Sequence, residues 1–265
     1  MKQLPSHDAL LSLEGKRALI TGAASGIGKA IAYRFAEAGA ELELVDRDAE
    51  GLAKVKSELD AFGKTVHNHT VDLSQRAELH QLWQNLAERL PDILVNNAGI
   101  YPFKKFTEMD LELYERVMNV NLHAVYWMCH ELITRRGKQG GIIINIGSIE
   151  AALPFKEDLA HYSVSKAGVV ALTRALAKEY ARRGFRVNAL LPGGIITSGT
   201  TRAAKQVLRL DVSLVKTGIE FMQRLPVGRM GQPDEVARMA LMLSSDLASY
   251  VHGAAIPVDG GFLSA

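Results

Sequence analysis

Short apolar runs alternate with longer segments of helical periodicity along this chain. Several of the short runs are continuously apolar, as strands covered on both faces should be. Strands that alternate with helices indicate βαβ units, so the pattern predicts an α/β fold with a doubly wound parallel sheet and helices on both faces. The seven predicted strands are residues 17–21, 41–45, 65–70, 93–96, 141–146, 185–190 and 255–258.

The helical segments differ in how much of their surface is apolar. Two of them repeat apolar residues at spacings of three and four, which predicts one buried face each. Segments 114–136 and 162–182 are apolar or small almost all round, more than one buried stripe accounts for. We therefore expect burial against the sheet and against a second subunit, in a homodimer or homotetramer. The single-faced segments carry Leu52, Val55, Leu59 and Phe62, and Leu79, Leu82, Trp83 and Leu86.

Composition narrows the class of protein. The 265 residues are 48% hydrophobic and 23% charged, and no linker divides them, so we predict one domain over residues 14–265 after an N-terminal extension of residues 1–13. A net charge of +2 gives little long-range field, which disfavours nucleic acid as a partner. Cys129 is the single cysteine and residues 1–14 hold no apolar run of membrane-spanning length, so we expect a cytoplasmic protein without a membrane partner.

A glycine-rich turn follows the first predicted strand and opens a helix. Glycines let a pyrophosphate approach the backbone, and the free N–H groups of a helix N-terminus attract its charge. Such a turn can also serve close packing alone, so the residues around it must decide between phosphate binding and packing. Asp46 ends the next strand eighteen residues beyond Gly28, near the spacing at which an acid accepts hydrogen bonds from the adenosine ribose. The predicted phosphate-binding residues are Gly22, Ser25, Gly26, Ile27 and Gly28.

The carboxylate of Asp46 would repel the 2′-phosphate of NADP. We therefore expect NAD as the cofactor and NADP as the less favoured one, although Arg47 follows directly and can turn towards a phosphate. No metal is expected: His67 and His69 lack a third ligand at suitable spacing.

The spacing of the three glycines resembles that of the short-chain dehydrogenase/reductase family, and so does Asn96-Asn97-Ala98-Gly99 after the fourth strand. The resemblance covers residues 14–262 and implies a Rossmann fold. It also implies that the segment from Pro192 to Thr197 binds the nicotinamide carboxamide. The further predicted cofactor contacts are Asp72, Leu73, Asn97, Ala98, Gly99, Tyr162, Lys166, Pro192, Gly193, Ile195 and Thr197.

Tyr162 and Lys166 are four residues apart and therefore share one face of a helix. A free phenol has a pKa near 10, so a base that works near pH 7 needs a shift of roughly 3 units, which a nearby ammonium favours. With Asn121 and Ser148 they resemble the family's catalytic tetrad. The resemblance implies that Ser148 holds the substrate oxygen near Tyr162, and that Asn121 holds a water that relays a proton from Lys166.

These residues predict an NAD-dependent oxidoreductase that interconverts a secondary alcohol and a ketone. Glu150 and His161 flank Ser148 and Tyr162, and an acid and an imidazole suit a hydroxyl-rich substrate, which favours a sugar or polyol. With Ser148 and Gly194 they form the predicted substrate site. Residues 198–225 are expected to form a helical substrate lid.

Three alternatives stay open at this point. The first is a 3-oxoacyl thioester reductase, which would prefer a basic residue where the phosphate loop has Ala24 and Ser25. The others are a regulator that senses NAD without turnover and an adapter that uses the fold for protein contacts. Neither of the last two needs Ser148, Tyr162 and Lys166.

Overall fold

Seven parallel strands form one sheet in the computed structural model, which describes residues 4–197 and 220–265. The strand order is β3-β2-β1-β4-β5-β6-β7, so the chain reverses direction across the sheet between β1 and β4. The predicted doubly wound sheet is confirmed. The strands are β1 Arg17–Thr21, β2 Glu41–Asp46, β3 Val66–Thr70, β4 Ile93–Asn96, β5 Gly141–Ile146, β6 Phe185–Pro192 and β7 Ala255–Val258.

Helices cover both faces of the sheet. Ala18 and Ile20 of β1 lie on one face of the sheet, where they pack with residues of α2 and α8. Leu19 lies on the other face, where it packs with residues of α4, α6 and α7. This two-sided burial is why the strands are continuously apolar. The α-helices in the described ranges are α1 His7–Leu11, α2 Gly26–Glu37, α3 Ala49–Leu59, α4 Arg76–Asn85, α5 Leu111–Met118, α6 Ala124–Arg136, α7 Ala160–Tyr180 and α8 Pro233–Ser244.

Two element boundaries differ from the sequence prediction in an informative way. The predicted helix of residues 114–136 is broken by a π-helical turn, Asn119–His123, between α5 and α6. Strand β6 continues to Pro192, two residues further than expected, because Leu191 and Pro192 still pair with β7. The apolar periodicity of the sequence predicts neither the π-helical turn nor the longer β6.

The predicted lid lies mostly outside the described residues, which resume at residue 220. No helix in the described ranges is long and apolar enough to cross a membrane. In sheets of this topology, ligands bind at the carboxyl ends of the strands, in the crevice where the strand order reverses. The turns after β1, β4 and β5 meet at that edge.

Candidate active site

The turn from β1 into α2 has an uncapped helix N-terminus. Gly22 has φ +66°, and Gly26 has φ +56°, so both occupy the left-handed region that favours glycine. Ser25 is the N-cap residue of α2, but its side chain makes no capping hydrogen bond. The first N–H groups of α2 are therefore open to an external acceptor, and the helix dipole favours an anion there. This geometry fits a pyrophosphate on Gly26, Ile27 and Gly28.

Asn97 clamps this turn from the neighbouring strand. Its side-chain Nδ2 donates to the carbonyls of Thr21 and Gly22 at 2.9 and 3.1 Å. The Thr21 Oγ1 in turn accepts from the backbone N–H groups of Asn97 and Ala98 at 2.9 and 3.1 Å. A Cβ on Gly22 would lie 2.8 Å from Asn97 Nδ2, and one on Gly28 would lie 2.1 Å from the Gly22 carbonyl oxygen. Close packing thus accounts for two of the predicted glycines.

Asp46 ends β2 beside the same turn. Its Oδ2 accepts from the backbone N–H of Ala24, and its Oδ1 accepts from that of Asp48, both at 3.1 Å. The carboxylate is therefore oriented by the phosphate loop itself.

Asp72 and Leu73 follow β3 at the same edge. Asp72 Oδ1 accepts from the Ser74 N–H at 2.9 Å. Burial acts to raise the pKa of Asp72, but the hydrogen bonds from Ser74 and the charges of Arg47 and Arg116 together outweigh it, and the pKa lies below its ordinary value. The Leu73 side chain packs into the core.

The segment after β6 reaches back to the phosphate loop. A Cβ on Gly26 would lie 3.3 Å from Thr197 Cγ2, so Thr197 packs beside the start of α2. Gly193 follows Pro192 and donates to the Val258 carbonyl at 3.1 Å. Ile195 forms an isolated bridge with Gly231. The structure therefore brings the predicted carboxamide segment to the predicted cofactor site.

The predicted catalytic side chains meet beyond β5. Ser148 begins a short 3-10 turn, Ile149–Ala151, and Tyr162 lies in the first turn of α7. The Ser148 hydroxyl lies near the Tyr162 phenol and acts to lower its pKa. Lys166 is one turn further along α7, is buried, and donates from Nζ to the Ile146 carbonyl at 2.8 Å.

The Tyr162 phenol is not activated in this structure. Burial raises its pKa to about 12, and the charge of Glu150 acts in the same direction, whereas the Ser148 side chain acts to lower it. Burial also lowers the pKa of Lys166 to about 8. The expected lowering of the Tyr162 pKa by Lys166 is absent, because the Lys166 Nζ lies 5.8 Å from the Tyr162 ring centroid and donates to the Ile146 carbonyl. Further positive charge near the phenol is needed before it works as a base near pH 7.

Asn121 lies in the π-helical turn and is fully buried. Its Oδ1 accepts from the Ile100 N–H, and its Nδ2 donates to the Ile100 carbonyl, both at 2.8 Å. The same Nδ2 is 3.2 Å from Ser165 Oγ. Because the amide is occupied by these partners, a relay water would have to bind the backbone carbonyl of Asn121. The side chain anchors the turn after β4.

Two of the predicted substrate residues have partners within the protein. Glu150 is buried, and its carboxylate accepts from Ser163 Oγ at 3.0 Å and from the Phe155 N–H at 3.3 Å. His161 is also buried, and its Nε2 is 2.8 Å from the Pro102 carbonyl. These contacts give Glu150 and His161 a role in positioning loops around Tyr162.

Gly194 leaves room for a neighbouring ring. A Cβ on Gly194 would lie 2.4 Å from an edge carbon of Phe221. Phe221 stacks with Phe262 and contacts Phe155. Beyond Gly194, the predicted substrate site is therefore lined by the aromatic rings of Phe221, Phe262 and Phe155.

The structure adds Thr21 and Ser163 as site residues that sequence reasoning left out, and it places Tyr101, a pocket candidate from the sequence, beside Tyr162. Tyr101 packs edge-on against Tyr162 with ring centroids 6.0 Å apart, and Thr21 and Ser163 supply the hydrogen bonds described above. The sequence could have indicated Thr21, since a hydroxyl at the end of one strand can form hydrogen bonds with the turn after a neighbouring strand. Ser163 carries none, because its partner is thirteen residues away.

In residues 4–197 and 220–265, no group of three or more His, Cys, Asp or Glu side chains is placed to hold a metal ion. The Nε2 of His69 contacts Glu43 at 2.7 Å.

Comparison with known proteins identifies the family. A family model described as enoyl-(acyl carrier protein) reductase matches residues 22–263. The chain belongs to the short-chain dehydrogenase/reductase family. This confirms the family that the glycine spacing and the Asn-Asn-Ala-Gly segment indicate.

Relatives within the family have several activities. A 3-oxoacyl-(acyl-carrier-protein) reductase of Thermotoga maritima is 36% identical over 256 residues, which are 96% of this chain and 100% of the relative. A galactitol 2-dehydrogenase (L-tagatose-forming) of Cereibacter sphaeroides is 39% identical over 260 residues, which are 97% of this chain and 98% of the relative.

Solved structures share the fold over nearly the whole chain. A candidate NAD(P)-dependent gluconate 5-dehydrogenase from Beutenbergia cavernae, with bound NADP at low occupancy, has a TM-score of 0.88 and 37% identity over 97% of this chain and 100% of its own. A 7α-hydroxysteroid dehydrogenase complexed with NADH and 7-oxo glycochenodeoxycholic acid has a TM-score of 0.86 and 32% identity over 97% of this chain and 98% of its own. Fold and family are thus established, and the substrates of these relatives differ.

Proposed function

We propose that this protein is an NAD-dependent oxidoreductase that interconverts a secondary alcohol and a ketone, with Tyr162 as the acid/base. One observation carries the proposal: the hydroxyls of Ser148 and Tyr162 lie near each other, and the buried Lys166 lies near the Tyr162 ring. An adapter or a sensor of NAD has no use for this set of groups.

The roles of the three side chains follow from their chemistry. The substrate hydroxyl binds between Ser148 and Tyr162, and Ser148 donates a hydrogen bond to its oxygen. In the oxidising direction the Tyr162 phenolate accepts the hydroxyl proton, and in the reducing direction the phenol returns it. A bound nicotinamide dinucleotide supplies the hydride acceptor or donor. Lys166, charged at neutral pH, favours the phenolate once it turns from the Ile146 carbonyl towards the site.

NAD is the cofactor that we propose, with NADP as the less favoured one. The uncapped start of α2 suits a pyrophosphate in either, and solved relatives hold NADP or NADH. The choice between them rests on Asp46, whose carboxylate is oriented beside the phosphate loop. A carboxylate there accepts hydrogen bonds from the ribose hydroxyls and repels a 2′-phosphate.

A sugar or polyol is the substrate class that we propose. The support comes from relatives that include the galactitol dehydrogenase. The second candidate is 3-oxoacyl thioester reduction, favoured by the Thermotoga maritima relative. Its weakness is the phosphate loop, which has Ala24 and Ser25 where that activity would prefer a basic residue.

We also propose that the protein works in the cytoplasm as a homodimer or homotetramer. Leu111 and Tyr114 of α5, Tyr126 of α6 and Val164 of α7 are exposed apolar residues on the helices of the predicted interface. Their burial between subunits would remove this apolar surface from water. Light scattering at micromolar concentration should give two or four times 28.9 kDa, and a monomer mass would refute the assembly.

The experiment for the activity follows NADH formation with sugars, polyols, hydroxysteroids and simple secondary alcohols. NADP and a 3-oxoacyl thioester with NADPH or NADH run in parallel. Turnover of a polyol with NAD supports the proposal. Turnover confined to the thioester establishes the second candidate.

A further inference from the structure

The loop between Ser148 and α7 carries a lysine that stacks on an aromatic ring. The Lys156 Nζ lies 4.0 Å from the ring centroid of Phe103. Phe103 packs edge-on against Tyr101 at 6.5 Å between centroids, and Tyr101 packs edge-on against Tyr162 at 6.0 Å. A continuous aromatic wall therefore runs from the catalytic tyrosine to this ammonium.

Two hydrogen bonds fix the lysine's loop against the segment after β4. The Lys104 N–H donates to the Asp158 carbonyl at 3.0 Å, and His161 Nε2 is 2.8 Å from the Pro102 carbonyl. The first bond lies two residues from Lys156, and the second lies next to Tyr162 in the chain. Because both segments leave the carboxyl edge of the sheet, Lys156 lies at the same edge as Ser148 and Tyr162.

The charge of Lys156 lacks a carboxylate partner. The side chain is half-buried, and burial lowers its pKa, while Asp158 and Glu150 act through space to raise it. No ion pair involves Lys156 in the part of the chain that the structure describes. Glu150 already accepts hydrogen bonds from Ser163 and Phe155. A partly desolvated ammonium without a bound carboxylate attracts an anion more strongly than an exposed one does.

We propose that Lys156 binds the carboxylate of a hydroxy-acid substrate, so that the enzyme prefers sugar acids to neutral polyols. This proposal rests on the proposed function, whose substrate class it narrows. One ammonium matches the single charge of a carboxylate. A phosphate monoester is doubly charged and is typically held by forked arginine donors, and the negative charges of Asp158 and Glu150 oppose it further.

The test compares matched pairs of aldonates and alditols, which differ only in a terminal carboxylate in place of CH2OH. D-gluconate with D-glucitol and D-galactonate with galactitol are suitable, with NAD and with NADP. The wild-type kcat/KM should favour the aldonate of the better pair by at least roughly 10-fold, mainly through KM. Lys156→Met should reduce the aldonate-to-alditol ratio by roughly 10- to 100-fold, and Lys156→Arg should keep most of it.

Lys105→Met is the matched control, because Lys105 is exposed and pairs with Glu108 at 3.6 Å in the same segment as Phe103. This variant should leave the ratio unchanged.

Equal use of aldonates and alditols by the wild type, or an unchanged ratio in Lys156→Met, overturns the carboxylate site and leaves the proposed function standing. Preference for alditol phosphates in a parallel arm shows that the anion is a phosphate, which also overturns the proposal. Failure to oxidise any member of the panel overturns the proposed sugar or polyol function, and the carboxylate site with it.

Discussion

The carboxylate of Glu150 accepts a hydrogen bond from the Ser163 hydroxyl at 3.0 Å, and this bond holds a buried negative charge beside Tyr162. Burial is the largest cause of the raised Tyr162 pKa, and the charge of Glu150 adds to it. The bond also ties the loop after Ser148 to the first turn of α7. Glu150 therefore combines a structural and an electrostatic effect on the proposed base.

Glu150→Gln should move the pH profile of alcohol oxidation towards lower pH. Oxidation requires deprotonated Tyr162, and removing a nearby negative charge lowers the Tyr162 pKa, so activity rises at a lower pH than in the wild type. We expect a displacement of roughly 0.5–1 pH unit in kcat/KM. Glu157→Gln, an exposed residue of the same loop, is the control and should leave the profile in place. A profile displaced to higher pH would contradict this account.

Gly22→Ala should destabilise the protein more than Gly63→Ala does. Both glycines have φ near +60°, so both substitutions carry backbone strain of about 1–2 kcal/mol. Only at Gly22 would the Cβ meet Asn97 Nδ2 at 2.8 Å, whereas nothing lies within 4 Å at Gly63. We expect a further loss of about 1–3 kcal/mol in the free energy of unfolding for Gly22→Ala, together with weaker NADH binding. Urea unfolding measures the difference, and equal losses would disprove the clash.

Asp46→Asn should shift cofactor preference towards NADP. The amide keeps the size of the side chain and an acceptor for the Ala24 N–H, but it removes the charge that repels a 2′-phosphate. The ratio of kcat/KM for NADP to that for NAD should rise roughly 10-fold or more. Asp48→Asn is a matched control because Asp48 caps α3, a position that asparagine fills equally well. An unchanged ratio in Asp46→Asn would show that Asp46 does not select the cofactor.

Lys166→Met should stabilise the fold while it removes activity. The Lys166 pKa is about 8 in the folded protein and about 10.4 in an unfolded chain. At pH 7, below both values, Lys166 is charged in the folded and the unfolded state, so the full cost of burying the charge destabilises the fold. Between the two values the folded state loses its proton first, and this cost disappears as the pH rises towards 10. We expect a gain of about 1–2 kcal/mol at pH 7, after loss of the hydrogen bond to Ile146.

The matched control is Lys178→Met, an exposed position of α7, which should change stability little. Urea unfolding at pH 7 and near pH 10 measures the effect. A gain that persists unchanged near pH 10 would mean that apolar packing, rather than the buried charge, is responsible.

The sequence predicts the strands well because each is buried on both faces. Ala18, Leu19 and Ile20 show this, since neighbouring residues pack on opposite sides of one strand. Periodicity could not predict the π-helical turn at Asn121. That turn is paired with the backbone of Ile100, twenty-one residues away.

The positions of the proposed catalytic groups could also be predicted, but their electrostatics could not. The spacing of Tyr162 and Lys166 gives a shared helix face, and α7 confirms that geometry. The Tyr162 pKa depends on depth of burial and on the charge of Glu150, whose orientation is set by Ser163 and Phe155. These are tertiary contacts, so the sequence pattern indicates the residues without the direction of the shift.

The central claim is that Tyr162 transfers the substrate proton, and Tyr162→Phe tests it most directly. The substitution removes only the phenolic oxygen and keeps the ring that packs against Tyr101. NADH binding should persist, while kcat for the best substrate of the panel should fall roughly 100- to 10,000-fold. Turnover within a few-fold of the wild type, with NADH still bound, would contradict the assignment of Tyr162 as the acid/base.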